Sequence, residues 1–135
     1  MPDPSTYDYA VIRVVPRVDR GEFINAGIVL ACARQGFLQA GLALDQARLQ
    51  ALDPAADVEA INTALAVFPL VCAGGAQAGA LGRLSLRERF DWLVAPRSSS
   101  VQTSPVHSGR SSGGDLVATL EHLLQRMVRL PAAPS

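Results

Sequence analysis

Between positions 13 and 25 the chain carries Arg13, Arg17, Asp19, Arg20, Glu22 and Asn25, a density of guanidinium and carboxylate groups that admits two kinds of chemistry. In one, Arg20 grips an anion through two parallel N–H bonds while Glu22 takes a proton or orients the arginine. In the other, Gly21 and Asn25 supply the conformations of a turn, and Arg20 with Glu22 makes a solvated pair of small energetic weight. The turn is the plainer reading, because such chemistry is common and specific sites are few. A second polar stretch, RSSSVQTSPVHSGR from Arg97 to Arg110, holds Arg97, Ser98, Thr103 and His107. Guanidinium, hydroxyl and imidazole donors of this kind could cradle a phosphate or phosphopeptide. The same residues also suit a polar edge strand followed by an exposed loop. His122 falls on the polar side of the last helical segment.

Other chemistries find less support. Cys32 and Cys72 have no further ligands at zinc-like spacing, and neither has a histidine placed for nucleophile activation. Ser98 to Ser100 lack the Gly-x-Ser-x-Gly elbow. Gly74-Gly75 has no lysine and no following hydroxyl in P-loop register. No cofactor and no metal is therefore expected. Stacking of single-stranded nucleic acid needs exposed aromatics beside arginine, and the seven aromatics, one Trp, two Tyr and four Phe, fall mostly on apolar faces.

The composition sets the frame. A chain of 135 residues with 49% hydrophobic and 18% charged residues fits one globular domain with a single core. Twelve basic residues, all arginine, balance twelve acidic ones, so no net charge draws the protein to nucleic acid or to acidic lipid. The absence of lysine beside abundant Ala, Gly and Pro reads as the codon bias of a GC-rich genome. Two cysteines are too few for a disulfide framework and suit buried thiols in a reducing compartment. No basic-then-apolar leader opens the sequence, and no apolar run approaches the ~18 residues of a membrane span. A cytoplasmic location is expected.

The elements that must position these residues follow from periodicity. Tyr7 to Val15 is β-branched and aromatic, apolar on both alternating faces apart from Asp8 and Arg13, and reads as an inner strand. Ile24 to Ala33 and Phe37 to Leu44 form a hairpin about the Arg34-Gln35-Gly36 turn. Gly27 and Gly41 inside these strands mark a bulge or a close approach. Asp45 to Leu52 forms a short helix. Asp53-Pro54 reads as cap and first turn of the next, with Val58, Ile61, Leu65 and Phe68 on its apolar face and Pro69 ending or kinking it. Ala73 to Gly82 is a glycine-rich mobile loop. Ser85 and Glu88 form a capping box ahead of Leu86, Phe90 and Leu93. Ser98 to Ser104 is an edge strand, Val106 to Gly114 a loop, and Asp115 caps a final helix striped by Leu116, Leu120, Leu123, Leu124 and Met127. The resulting layout is α+β: an antiparallel sheet of about four strands, a β-β-β meander first and one later edge strand, with three to four helices on one face. An open edge would also permit a homodimer.

Tyr7-x-Tyr9 followed by a strand, Pro16, then GEFINAGIVL from Gly21 to Leu30, and VQTSP from Val101 to Pro105, resemble the bacterial family DUF3037. The resemblance runs from about Tyr7 to Met127 and implies one such domain over 1–135, with frayed ends at 1–5 and 131–135. Members are often encoded beside a HipA-like kinase-domain protein, which implies an accessory or regulatory partner and supplies no catalytic residues. Two functions are then open: an interaction module docking that partner through the Arg20/Glu22/Asn25 turn or the 98–110 edge, and a small anion- or phosphate-binding domain or enzyme using Arg13, Arg20 and Glu22.

Overall fold

The computed structural model describes residues 6–111 and 114–131; of the ends expected to fray, 1–5 and 131–135, all but Pro131 lie outside the described residues. Strands β1 (Thr6–Val14), β2 (Ile24–Cys32), β3 (Phe37–Leu42), β4 (Val101–Thr103) and β5 (His107–Arg110) form one antiparallel sheet in the order β3-β2-β1-β4, with β5 beside the first half of β1. Helices α1 (Gln46–Leu52), α2 (Val58–Ala73), α3 (Leu86–Leu93) and α4 (Leu116–Met127) complete the chain with 3-10 turns at Ala33–Gln35 and Ala76–Arg83. The α+β class and the inner position of β1 agree with the sequence reading.

The helices lie on both faces of the sheet, which corrects the one-face layout. Ala10, Ile12 and Val14 of β1 pack with Leu49 of α1, Leu65 and Phe68 of α2, and Phe90 and Leu93 of α3. Tyr7 and Val11 point the other way, against Leu116, Leu120, Leu123 and Leu124 of α4. A strand covered on both faces reads as a near-continuous apolar run, and that is what β2 encodes from Ala26 to Cys32. Partway along β2 the register slips by one residue, with Ile12 opposite Gly27 but Arg13 opposite Asn25. This bulge keeps Ile24 and Ala26 on the same face as Val29 and Ala31, although alternation alone would have turned them over.

Both strand glycines mark close approaches. A Cβ on Gly27 would stand 2.5 Å from the Gly41 carbonyl oxygen, and one on Gly41 would meet the Leu124 side chain. Gly36, with φ of 63°, closes the β2–β3 turn.

Three local expectations are corrected. The helix after Pro54 starts at Val58 with Asp57 as its cap, since Asp53 spends its carboxylate on Ala55 N at 3.0 Å. Pro69 neither ends nor breaks α2, which runs on to Ala73. The Ala73 to Gly82 segment is wound into 3-10 turns about Gly79, tied by Gly75 N donating to Gly82 O at 3.3 Å.

The stretch read as a loop after Pro105 contains β5. Its sequence, HSGR, has no apolar alternation to announce a strand, and pairing with Thr6–Tyr9 of β1 holds it there. Gly109 makes room for the Tyr7 ring, whose hydroxyl would lie 2.6 Å from any Cβ. Between β4 and β5 the buried Ser104 takes over the ladder. Its Oγ accepts from Val11 N at 2.9 Å and donates to Pro105 O at 2.9 Å, while its N–H donates to Val11 O at 2.8 Å.

Candidate functional site

The polar cluster that opens the sequence is divided by the structure into two groups. Arg17 to Glu22 fold into a turn in which Arg17 O accepts from Arg20 N at 3.0 Å and from Gly21 N at 3.2 Å, with Gly21 at φ 72°. Within it, Arg20 Nε donates to Glu22 Oε1 at 2.5 Å, and both side chains are exposed. That hydrogen bond holds the Glu22 carboxyl below the usual carboxylate range and raises the Arg20 guanidinium. A carboxylate so stabilised in its charged form is a poor base at neutral pH. Arg17 and Asp19 make a looser exposed pair at 3.9 Å.

Asn25 and Arg13 belong to the second group. They oppose each other in the β1–β2 register, on the sheet face that carries α4. Asn25 Nδ2 donates to Met127 O at 2.9 Å, fastening the end of α4 to the sheet. The Arg13 guanidinium lies over the Phe23 ring at 4.2 Å, and Phe23 is 45% exposed. Arg13 has no acidic partner among the described residues, and its Nε, like Asn25 Oδ1, is buried without a hydrogen-bond partner.

The donors of the later stretch do not converge. Thr103 stands opposite Ile12 and His107 opposite Tyr9 on β1, three residues or about 10 Å apart along the strand and, by alternation, on opposite faces. Thr103 Oγ1 donates to Val94 O at 3.4 Å, behind α3. His107 packs against Tyr9 with the rings tilted by 38° and their centroids 5.5 Å apart. Arg97 turns back on α3: Nη2 donates to Trp92 O at 2.5 Å, and the guanidinium sits 4.6 Å from the centre of the half-exposed Trp92 ring. Ser98 is exposed. A groove of about 350 Å³ opens nearby between Asp53, Asp57, Ala60, Ser99 and Ser100. None of the candidates Arg13, Arg20, Glu22, Asn25, Arg97, Thr103 or His107 lines it.

Two polar assemblies were not legible in the sequence. Asp8 accepts from Arg87 Nη1 at 2.5 Å and from Ser108 Oγ at 2.6 Å, while Arg87 Nε reaches Asp91 at 3.1 Å. Partial burial pushes the Asp8 carboxyl upward, but the bonds from Arg87 and Ser108, with the Arg87 charge, outweigh it and hold the group low. The partners are 79 and 100 residues apart in sequence, beyond any local spacing rule. In the second assembly Arg89 donates to the carbonyls of Val71, Cys72 and Leu84 at 2.9, 2.7 and 3.2 Å. It helps close the C-terminus of α2, where the Gly74 N–H serves Leu70 O and Val71 O at 3.3 and 3.1 Å and Arg89 serves Val71 O and Cys72 O.

Beside Arg89, burial pushes the Cys72 thiol up to about 12 against the opposing pull of the Arg89 charge. The expected result is inertness, because burial keeps Cys72 in its protonated thiol form at pH 8. Cys72 should therefore escape a disulfide reagent such as Ellman's in the native protein and react within minutes in guanidinium chloride. Fast native labelling of Cys72, located by peptide mapping, would contradict this burial.

Among the described residues, no three His, Cys, Asp or Glu side chains gather to hold a metal ion, and no single helix is long and apolar enough to cross a membrane. Comparison with known proteins finds no matching curated protein and no matching solved structure. The family model described as "Protein of unknown function (DUF3037)" matches residues 9–128, and the chain belongs to that family.

Proposed function

We propose that this protein is a non-catalytic interaction module that docks a larger partner, a HipA-like kinase-domain protein. One observation carries the reading: the Arg13 and Arg97 guanidinium groups each sit over a half-exposed aromatic ring, Phe23 at 4.2 Å and Trp92 at 4.6 Å from the ring centre, with Phe23 45% and Trp92 38% exposed. Tryptophan, tyrosine and arginine dominate the energetic centres of interfaces, because a large rigid face beside a planar fork buries much area at small entropic cost. Stacking holds each arginine in place before any partner arrives. The Arg17 to Glu22 turn, paired within itself, solvated and leading directly into Phe23, supplies a polar rim beside the Arg13/Phe23 pair. Catalysis would ask instead for convergent groups in a concavity, and Arg13, Arg20 and Glu22 are divided between an aromatic stack and an exposed ion pair.

The test is co-expression of the chain with a HipA-like protein encoded beside it, followed by size exclusion and titration calorimetry. A stoichiometric complex is expected. Phe23→Ser should weaken it at least tenfold, about 1.4 kcal/mol or more, with a melting temperature within a few degrees of the parent because Phe23 is already half in water. Arg20→Ala with Glu22→Ala should change affinity far less. Absence of a complex, together with thermal stabilisation by a nucleotide or phosphoester in a ligand screen, would overturn the module in favour of an anion-binding domain.

A further inference from the structure

The two edges of the sheet are built differently. On one side β4 and β5 have three and four residues, Pro105 separates them, and His107 and Arg110 lie in β5. Short length, interruption and charge are the devices by which proteins keep an edge from accepting another strand. On the other side β3 runs six residues, FLQAGL, with no charge and no proline. None of those devices is present.

The direction of its main-chain groups follows from one hydrogen bond. Ala43 N donates to Ala26 O at 2.8 Å, and Leu42 stands opposite Gly27 in the register. An antiparallel ladder alternates, so Gly41, Gln39 and Phe37 turn their N–H and C=O toward β2. Leu42, Ala40 and Leu38 turn theirs outward, where the sheet has no further strand among the described residues. A groove of about 290 Å³ runs along this edge between Leu38, Gln39 and Ala40 on one wall and Pro69, Cys72 and Ala73 of α2 on the other. Leu42 and Leu70 are 37% and 39% exposed.

We propose that the β3 edge pairs antiparallel with the β3 edge of a second copy of this chain, joining the two sheets into one. What selects a second copy over another partner is the self-complementarity of the strand. Leu38-Gln39-Ala40-Gly41-Leu42 reads nearly the same in both directions about Ala40. A two-fold axis at Ala40 sets Leu38 opposite Leu42 of the partner subunit and Ala40 opposite its own counterpart. The three outward-facing pairs exchange two bonds each, about six main-chain hydrogen bonds in all. No like charges meet, and Leu42 leaves solvent on both sides. An interface in which the same patch serves both subunits is the commonest route to a closed dimer. This proposal is independent of the kinase-docking reading, since β3 carries neither Phe23 nor Trp92.

Sedimentation equilibrium on the wild-type chain at tens of micromolar should give twice the mass of one chain. Ala40→Pro removes an outward N–H and none of the bonds to β2, and Leu42→Lys puts a charge on an already half-exposed position. Each should give a folded monomer with an unchanged far-UV circular dichroism spectrum. Should the proline variant fail to fold, Leu42→Lys carries the test. Amide exchange then locates the contact: the N–H groups at positions 38, 40 and 42 should exchange at least tenfold more slowly in the wild type than in Leu42→Lys. A wild-type chain that stays monomeric at hundreds of micromolar overturns the proposal. So does a dimer that survives Leu42→Lys, or one in which those three amides exchange as fast as in the monomer.

Discussion

Replacing Arg89 with alanine should cost the fold about 3 kcal/mol, read as a lower urea midpoint at unchanged slope. The size follows from what the guanidinium leaves behind. Carbonyls of Val71, Cys72 and Leu84 all accept from it, at 2.7 to 3.2 Å, and all three lie near buried or half-buried chain. Cys72 O and Leu84 O lose their donor at about 1–1.5 kcal/mol each, Val71 O keeps only the Gly74 N–H at 3.1 Å, and α2 loses the only side chain among the described residues that closes its last turn. Arg89→Lys keeps the charge and loses the fork, so it should recover less than half of the loss. If Arg89→Ala unfolded at the same urea concentration as the parent, water would be satisfying those carbonyls unaided, and α2 would not depend on α3 for its end.

Gly27→Ala should be nearly as damaging, about 2–4 kcal/mol, with a fall in melting temperature on the order of 10 °C. Its Cβ would come within 2.5 Å of the Gly41 carbonyl oxygen. That atom is main chain, so relief requires β2 and β3 to part where the bulge already departs from the regular ladder. Gly41→Ala is the control. Its Cβ meets the end of the Leu124 side chain, which can turn aside, so the loss should be smaller, about 1 kcal/mol. Comparable melting temperatures for the two variants would show that the β2–β3 spacing adapts and that the glycine at 27 is not required by the neighbouring backbone.

The candidate site separates what spacing can show from what it cannot. Nearness in sequence linked Arg20 to Glu22, and that pair exists, because two residues across a tight turn cannot avoid each other. Nearness also linked Arg97, Thr103 and His107, which the fold distributes over two faces of the sheet. A strand sends consecutive side chains to opposite sides, and the chain leaves β4 and re-enters the sheet at β5, so three apparent neighbours acquire three unrelated environments. Asn25 seemed to belong with Arg20. Position alone turns it inward to hold Met127 O, a bond spanning 102 residues that no local pattern contains.

The layering was partly legible. Apolar residues on both alternating faces of β1, and at every position of β2 from Ala26 to Cys32, already implied a sheet covered twice, and the amphipathic stripe of α4 supplied the second cover. Assigning all helices to one face neglected that burial pattern. β5 was not legible at all, since His-Ser-Gly-Arg has neither apolar alternation nor β-branched residues and owes its conformation to β1.

By itself the sequence determined the elements whose energy is local or periodic: the hairpin about Gly36, the Ser85/Glu88 capping box, the helix begun by Asp115 and its leucine stripe, and the α+β class that their order implies. Hydrogen bonds between near neighbours and the period of burial are written along the chain, so they can be read from it. Tertiary structure alone decided which face each helix covers, which carbonyls Arg89 closes, where Asp8 finds Arg87 and Ser108, and which edge of the sheet stays unguarded. Those depend on groups far apart in sequence, whose meeting is set by the fold as a whole.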